Sequence, residues 1–588
     1  MYDFIIKGGS IVDGLGGIPF NADIAVSNGI IKDLGTNING EAKEIIDAKN
    51  CIVTPGWIDI HTHYDGQVTW DEDMDPSASH GVTSVVMGNC GVGFAPVRPN
   101  NEKELIELME GVEDIPGAAL YEGMPWGEWE TFPEYLEYLS TRQYAVDVAA
   151  QIPHGALRSY VMGNRGTNHE DATAEDIDRM SQLVEEALKA GALGFTTSRI
   201  IGHQSINGDA VPGTFAAYDE LLGIAYAIKR ANRGVFQIIP SSTVGSTQSL
   251  GGEAHTQDAE LKLMDSISRE SGCPVTFTLF QISEWPNKWK EILEGVNKAN
   301  AEGSRLYPQV SGRPTGIVLS LKTYHPFMRR KAFLDLAHLS AEQLIIEMRK
   351  PEIKAAILSD EKVLHEMSGS MDNFIGVRME EDFSRIYPMD TEMDYEPTTD
   401  ETFAALAEKN ERDPLEYFYD YLLDNNGENF AIMFFSNFSE QNHDAIRQMN
   451  LDPNTVSGLS DAGAHVAFIF DAVMPTYLLT HWVKGRSRGE RLPLEHVVSR
   501  LSHKNAKLYG LKDRGSLESG KRADINVIDM EALSFGDIEI RNDLPAGGKR
   551  ILQSANGYVA TMLNGVLTRR FDKDTGKRPG RLIRSVEG

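Results

Sequence analysis

Two histidines stand one residue apart in PGWIDIHTH, at His61 and His63. In an extended strand, residues i and i+2 point to the same face, so two imidazoles are presented side by side. Neutral imidazole is a ligand for zinc and similar borderline cations. Asp461, in LSDAGAH, is a third candidate ligand and a candidate general base; its alternative is the cap of a strand-to-helix turn. Two His and one Asp would leave open positions for water and substrate. Cys90, in MGNCGVGFAP, is open to two readings, a thiolate ligand or a buried small apolar residue. His154, in PHGALR, could bind metal, orient substrate or donate to an oxyanion, or serve as a hydrogen-bonding support behind the ligands. His203, in SRIIGHQ, either lines a pocket or is solvated. Arg199 and Arg313, both at strand ends, are candidates to hold an anionic substrate or to form structural ion pairs. Gln237 and Gln281 stand near two further strand ends, although amide oxygens are poor zinc ligands.

These residues recur at the ends of apolar runs. The runs are CIVTPGWIDIHTH (51–63), GVTSVVMGNC (81–90), YAVDVAAQIPHG (144–155), GALGFTTSR (191–199), GVFQIIPSS (234–242), CPVTFTLFQ (273–281), SRLYPQVSGR (304–313) and NTVSGLSD (454–461). Helical patterns separate most of them. In TAEDIDRMSQLVEEALKA (173–190) Ile177, Met180, Leu183, Val184 and Leu188 keep helical spacing, and Thr173 with Asp176 makes a capping pair. Eight buried strands alternating with helices predict an α/β fold, a (β/α)8 barrel, whose sites lie at the C-terminal ends of its strands. The connection from about 315 to 453 is too long for a simple loop and carries helical patterns such as 340–360, so it is expected as a helical insertion between strands seven and eight. Short strands broken by Gly and Asn-Gly turns fill 1–53 and return in 506–588. The two ends are expected to meet in one small β-sandwich beside a barrel spanning 54–505.

With 56 basic and 86 acidic residues, the chain carries a net charge of −30. Such a surface repels phosphate backbones and anionic membranes, so neither nucleic acid nor membrane is expected as a partner. Three cysteines do not make a disulfide framework. The N-terminus lacks the pattern of a signal peptide, and no apolar stretch approaches the length of a membrane span. A cytoplasmic homo-oligomer is expected.

PGWIDIHTHYDGQ, HGVTSVVMGNCGVGFAP, PHGALR, GALGFTTS, LSDAGAH and DRGSLESGKRADINVID together resemble the amidohydrolase superfamily, and within it the N-acyl-D-amino-acid deacylase (D-aminoacylase) family. The resemblance runs from IIKGGSIVDG to PGRLIRS and implies a zinc hydrolase built as a metal-bearing barrel with a β-sandwich. It implies metal ligation by His61, His63, Cys90 and Asp461, with Asp461 also the general base, and His154 matches a histidine of the family's GHGxLR element. Typical members place a histidine at the ends of strands five and six. Here those strands read VFQIIPSS and TFTLFQIS. One zinc per subunit is therefore expected. The expected activity is hydrolysis of a linear amide in a small molecule, deacylation of an N-acyl amino acid of D configuration by resemblance. Two alternatives accompany it: a lactone or cyclic-amide hydrolase on the same barrel, and a non-catalytic scaffold.

Overall fold

The computed structural model describes residues 1–245, 254–379, 381–390 and 393–585. Its centre is a run of short parallel strands: Trp57–Asp59, Val82–Met87, Asp147–Ala150 continued by Ile152–Pro153, Gly194–Ser198, Val235–Ile239, Val275–Thr278, Leu306–Val310 and Val456–Ser457. Sequence neighbours pair in parallel throughout. The two ends of the series meet where the His63 N–H donates to the Ala462 carbonyl at 2.7 Å and the Asp461 N–H to the His61 carbonyl at 3.1 Å. Nearly every residue of these strands is buried, as strands covered on both faces require. The helix Ala174–Ala190 forms as its spacing predicts. The Thr173 hydroxyl caps it in a reciprocal box with Asp176, and Met180, Leu183, Val184 and Leu188 are buried.

Both chain ends enter one nine-stranded sheet, in which Ile525–Ile528 pairs with Ile52–Pro55 and so joins the C-terminal strands to the N-terminal ones. Two of its hairpins turn on Asn-Gly pairs, Asn28-Gly29 and Asn564-Gly565, all four residues having positive φ. The segment after residue 506 also locks the sheet to the parallel strands. Arg514 and Arg522 both reach the buried Asp147 carboxylate, at 2.6 and 2.7 Å.

The long connection, expected as a helical insertion, carries strands beside its helices. Thr315–Ser320, Ile386–Met389 and Phe430–Ser436 form an antiparallel sheet, with Phe430–Ser436 in the centre. TGIVLS and FAIMFFS are strand-length apolar runs, and they pack Ile317, Leu319, Ala431 and Met433 with Phe327 and Phe418 in a core of their own. The helical pattern at 340–360 is two helices, Ala341–Met348 and Pro351–Ser359, interrupted where Pro351 cannot continue the first. Among the described residues no helix is long and apolar enough to cross a membrane.

Candidate metal and substrate site

His61 and His63 follow the strand Trp57–Asp59, and Thr62 between them bridges to Ala462. Both histidines are almost wholly buried, with ring centroids 5.5 Å apart. His61 Nδ1 lies 2.8 Å from the Gln309 Oε1 acceptor. That contact places the proton on Nδ1 and leaves the Nε2 lone pair free. His61 Nε2 is 3.5 Å from Cys90 Sγ and 3.2 Å from Asp461 Oδ1. His63 is oriented similarly, with a charge partner in place of the hydrogen bond. Its Nδ1 faces Glu113 Oε1 at 3.3 Å, while Nε2 is 3.8 Å from Cys90 Sγ and 3.7 Å from the same Asp461 oxygen. The ligand atoms of His61, His63 and Cys90 thus lie within 4.8 Å of one another, and Asp461 reaches both imidazoles from one side, a donor set that suits zinc.

Backbone geometry brings the four donors together. Cys90 and Asp461 both adopt positive φ, 55° and 47°, an uncommon state for such residues that recurs at functional sites. Two residues past Asp461, a Cβ on Gly463 would lie 2.9 Å from the His63 carbonyl group, so only glycine lets this loop approach the histidine pair.

The electrostatics also call for a cation. Asp59, Asp65, Glu113 and Asp461 crowd the two imidazoles. Burial raises the Glu113 carboxyl to about 7 and the Asp65 carboxyl to about 6, each lowered in part by His63. Burial, then the carboxylates of Glu113 and Asp461, push the Cys90 thiol up. A divalent ion inverts that balance by favouring the thiolate and the carboxylates together. Burial pulls His61 down to about 4, whereas Glu113 and Asp461 outweigh the burial of His63 and lift it to about 9. The residues present fit a bound zinc. A second cluster, Glu396, His443 and His481, fits one poorly. Arg486 occupies both Glu396 oxygens, at 3.0 and 2.9 Å, so an ion there would face a fixed positive charge.

The donor set opens into a cavity of about 500 Å³, lined by His61, Cys90, Glu113, Asp461, His203 and His465 among others. A second cleft, about 670 Å³, opens near the N-terminal ends of the central strands beside Gly234, Pro274 and Tyr509, and none of the four donors lines it. His203 lies on the wall of the site cavity, its Nδ1 2.8 Å from Ser198 Oγ. Other expected residues lie elsewhere. His154 has both ring nitrogens engaged, by Thr197 Oγ1 and Glu220 Oε1 at 2.9 Å each, and does not line the cavity. Its backbone starts the helix His154–Met162, and its ring packs edge-on against Phe195. Arg199 is held by Glu260 at 2.9 Å and Arg313 by Asp471 at 2.5 Å, the latter under the Tyr395 ring. Both are structural ion pairs outside the cavity lining. Gln281 ties down a loop, accepting from the Ser439 N–H and donating to the Pro286 carbonyl. Gln237 lies behind His61, its Nε2 3.5 Å from Nδ1.

Several site residues escaped the sequence reading. Glu113 closes the helix Glu102–Glu113 on its buried side, four residues after Met109. A carboxylate on an apolar stripe was the available signal. It also faces His465 Nε2 at 3.5 Å, and His465 sits four residues after Asp461 in the same motif. Gln309 carried no signal beyond its place in a strand.

An uncharacterised protein of Mycobacterium tuberculosis is 26% identical over 553 residues, 90% of this chain and 84% of its own length. The D-aminoacylase of Alcaligenes xylosoxydans xylosoxydans is 28% identical over 316 residues, 53% of this chain and 58% of that relative. The fold matches the crystal structure of N-acyl-D-glutamate deacylase from Bordetella bronchiseptica complexed with zinc and a phosphonate inhibitor, with a TM-score of 0.63 at 22% identity, covering 99% of each chain. The amidohydrolase family model matches residues 44–569, so the chain belongs to the amidohydrolase family.

Proposed function

We propose that the protein is a zinc-dependent amide hydrolase that deacylates an N-acyl amino acid, of D configuration by analogy with its relatives. The observation that carries this reading is the clustering of His61 Nε2, His63 Nε2 and Cys90 Sγ, with Asp461 Oδ1 beside both imidazoles, on the wall of an open cavity. These four residues would hold one zinc at the mouth of a metal-bearing (β/α)8 barrel, flanked by the two-ended β domain and the insertion. Zinc bound there supplies Lewis acidity and a water of lowered pKa. Gln309 faces the Nδ1 of His61 as a hydrogen-bond acceptor and the Glu113 carboxylate stands 3.3 Å from His63 Nδ1 as a charge partner, so both Nε2 atoms face the metal position. Asp461 has the one partly exposed donor side chain, 19% against 0–1% for the histidines. It faces both the donor set and the cavity, so its carboxylate is placed to take a proton from water and return it to the leaving nitrogen. His203 and His465 stand on the cavity wall, within the space the acyl group would fill. Among the described residues lining the cavity, strands five and six end in Ile239 and Thr278 rather than in histidine, which supports one metal rather than two.

The test assays wild type and Asp461→Asn on N-acyl-D- and N-acyl-L-amino acids, lactones and cyclic imides, with elemental analysis of both proteins. Loss of amide turnover in the variant, with the fold intact, is expected. Undiminished turnover would refute the role of Asp461, and wild-type activity confined to lactones or cyclic imides would refute the amide assignment.

A further inference from the structure

A protein of net charge −30 repels an anionic substrate unless a local cation receives it. The two arginines at strand ends do not meet this need, because Glu260 and Asp471 neutralise them outside the cavity. Among the described residues lining the cavity, permanent positive charge comes from Arg378 and Arg385 alone. Both belong to the insertion. Arg378 ends the helical turn Phe374–Arg378, and Arg385 immediately precedes the strand Ile386–Met389.

Neither guanidinium is spent on a carboxylate. Arg378 donates one bond to the Ser368 carbonyl and Arg385 one to the Phe434 carbonyl, each at 2.9 Å. No described acidic group lies in ion-pairing range of either, so each keeps donors for a ligand. Arg385 is also aligned by its own backbone, whose carbonyl accepts from the Phe434 N–H. The wall beside them is apolar. The insertion contributes Ile317, Met371, Phe374, Met433 and Phe435, and Phe468 follows the Asp461 loop. A cavity of about 500 Å³ with this lining is in the range that encloses a drug-sized ligand, far more than an acetyl group fills.

We infer that the insertion is the specificity element of this site: Arg378 and Arg385 hold a substrate carboxylate, and the apolar wall takes a bulky apolar group on the same molecule. This rests on the amide-hydrolase reading and narrows its N-acyl amino acid substrate to one carrying a large apolar acyl or side chain. The charge arrangement supports it independently of the metal chemistry, because Glu113, Glu284 and Asp461 make the rest of the lining acidic. A carboxylate therefore has a single favourable orientation, away from the donor set.

The test separates binding from turnover. The probe is N-octylsulfonyl-leucine, in both enantiomers, a hydrolysis-resistant sulfonamide, alongside its methyl ester and the N-methylsulfonyl analogue. Calorimetry measures each against zinc-loaded wild type, Arg378→Gln/Arg385→Gln, Arg378→Lys and Phe374→Ala. The carboxylate should bind wild type about tenfold or more tighter than the ester, the worth of a charged hydrogen-bonded pair. The double variant should lose that preference while binding the ester unchanged. Arg378→Lys should keep part of it. Phe374→Ala should weaken the octyl probe more than the methyl one. No preference for the carboxylate in wild type, no binding at all, or a preference that survives the double variant overturns the inference. Arginine-dependent binding without any turnover of the matching N-octanoyl amino acids refutes amide hydrolysis and leaves the inference standing.

Discussion

Replacing Glu113 by Gln separates the charge of this buried group from its shape. Its two oxygens lie 3.3 Å from His63 Nδ1 and 3.5 Å from His465 Nε2, and its side chain is 2% exposed. Glutamine keeps the volume and an acceptor oxygen, so the ring of His63 stays in place. What is lost is the negative charge beside Nδ1 that makes Nε2 a better ligand. A full charge pair at 3.3 Å is worth at most about 5 kcal/mol at an effective dielectric of about 20. Burial raises the Glu113 carboxyl to about 7, so near neutral pH much of that is unavailable in the metal-free protein. Losing such a partner behind a metal-bound imidazole costs about 10–100-fold in metal affinity, or about 1.4–2.8 kcal/mol, which fits under that ceiling. The assay is a competitive zinc titration of wild type and Glu113→Gln against a chromophoric chelator, with thermal melts of the metal-free proteins as control. Zinc affinity within about threefold of wild type, in a variant that melts normally, would refute the role given to Glu113.

Two further outcomes follow from the buried charges. Asp471→Asn leaves the Arg313 guanidinium, 2% exposed, without its counter-charge. The expected loss is about 3–5 kcal/mol in urea unfolding, and a loss below about 1 kcal/mol would contradict the pairing. Burial holds His80 at about 4 and His325 at about 3, against 6.5 in the unfolded chain. Above pH 6.5 both states are neutral and neither residue contributes. As pH falls from 6.5 towards 4 the unfolded chain takes up protons that the folded one refuses, and stability drops by on the order of 3 kcal/mol for each. Chemical unfolding across that window measures the drop. His80→Gln should flatten its share of the slope, and an unchanged slope would count against the burial of a neutral ring.

Much of the architecture was legible because it depends on local pattern. Parallel strands covered on both faces must be apolar end to end, and that texture marks the segments from Trp57 to Val456. The Asn-Gly turns and the Thr173 cap are local chemistry, read directly from the residues. The antiparallel sheet inside the insertion was not legible. Its strands Thr315–Ser320 and Phe430–Ser436 lie more than a hundred residues apart, and each alone is an apolar run that could equally be a helix.

The site divides along the same line. His61 and His63 share a face by strand periodicity alone, and Cys90 and Asp461 were suggested by motif and family resemblance. Which cations are free was decided by the fold. Arg199 and Arg313 look like Arg378 and Arg385 in sequence, yet two are neutralised by partners 61 and 158 residues away and two face the cavity. The same holds for His154, whose ring is claimed by Glu220, and for Glu113, an acid on an acidic helix until packing sets it against His63. Sequence determines the chemical type of each group and its local geometry. An ionisable group's role depends on which charges surround it and how much water remains, and only the tertiary structure sets those distances.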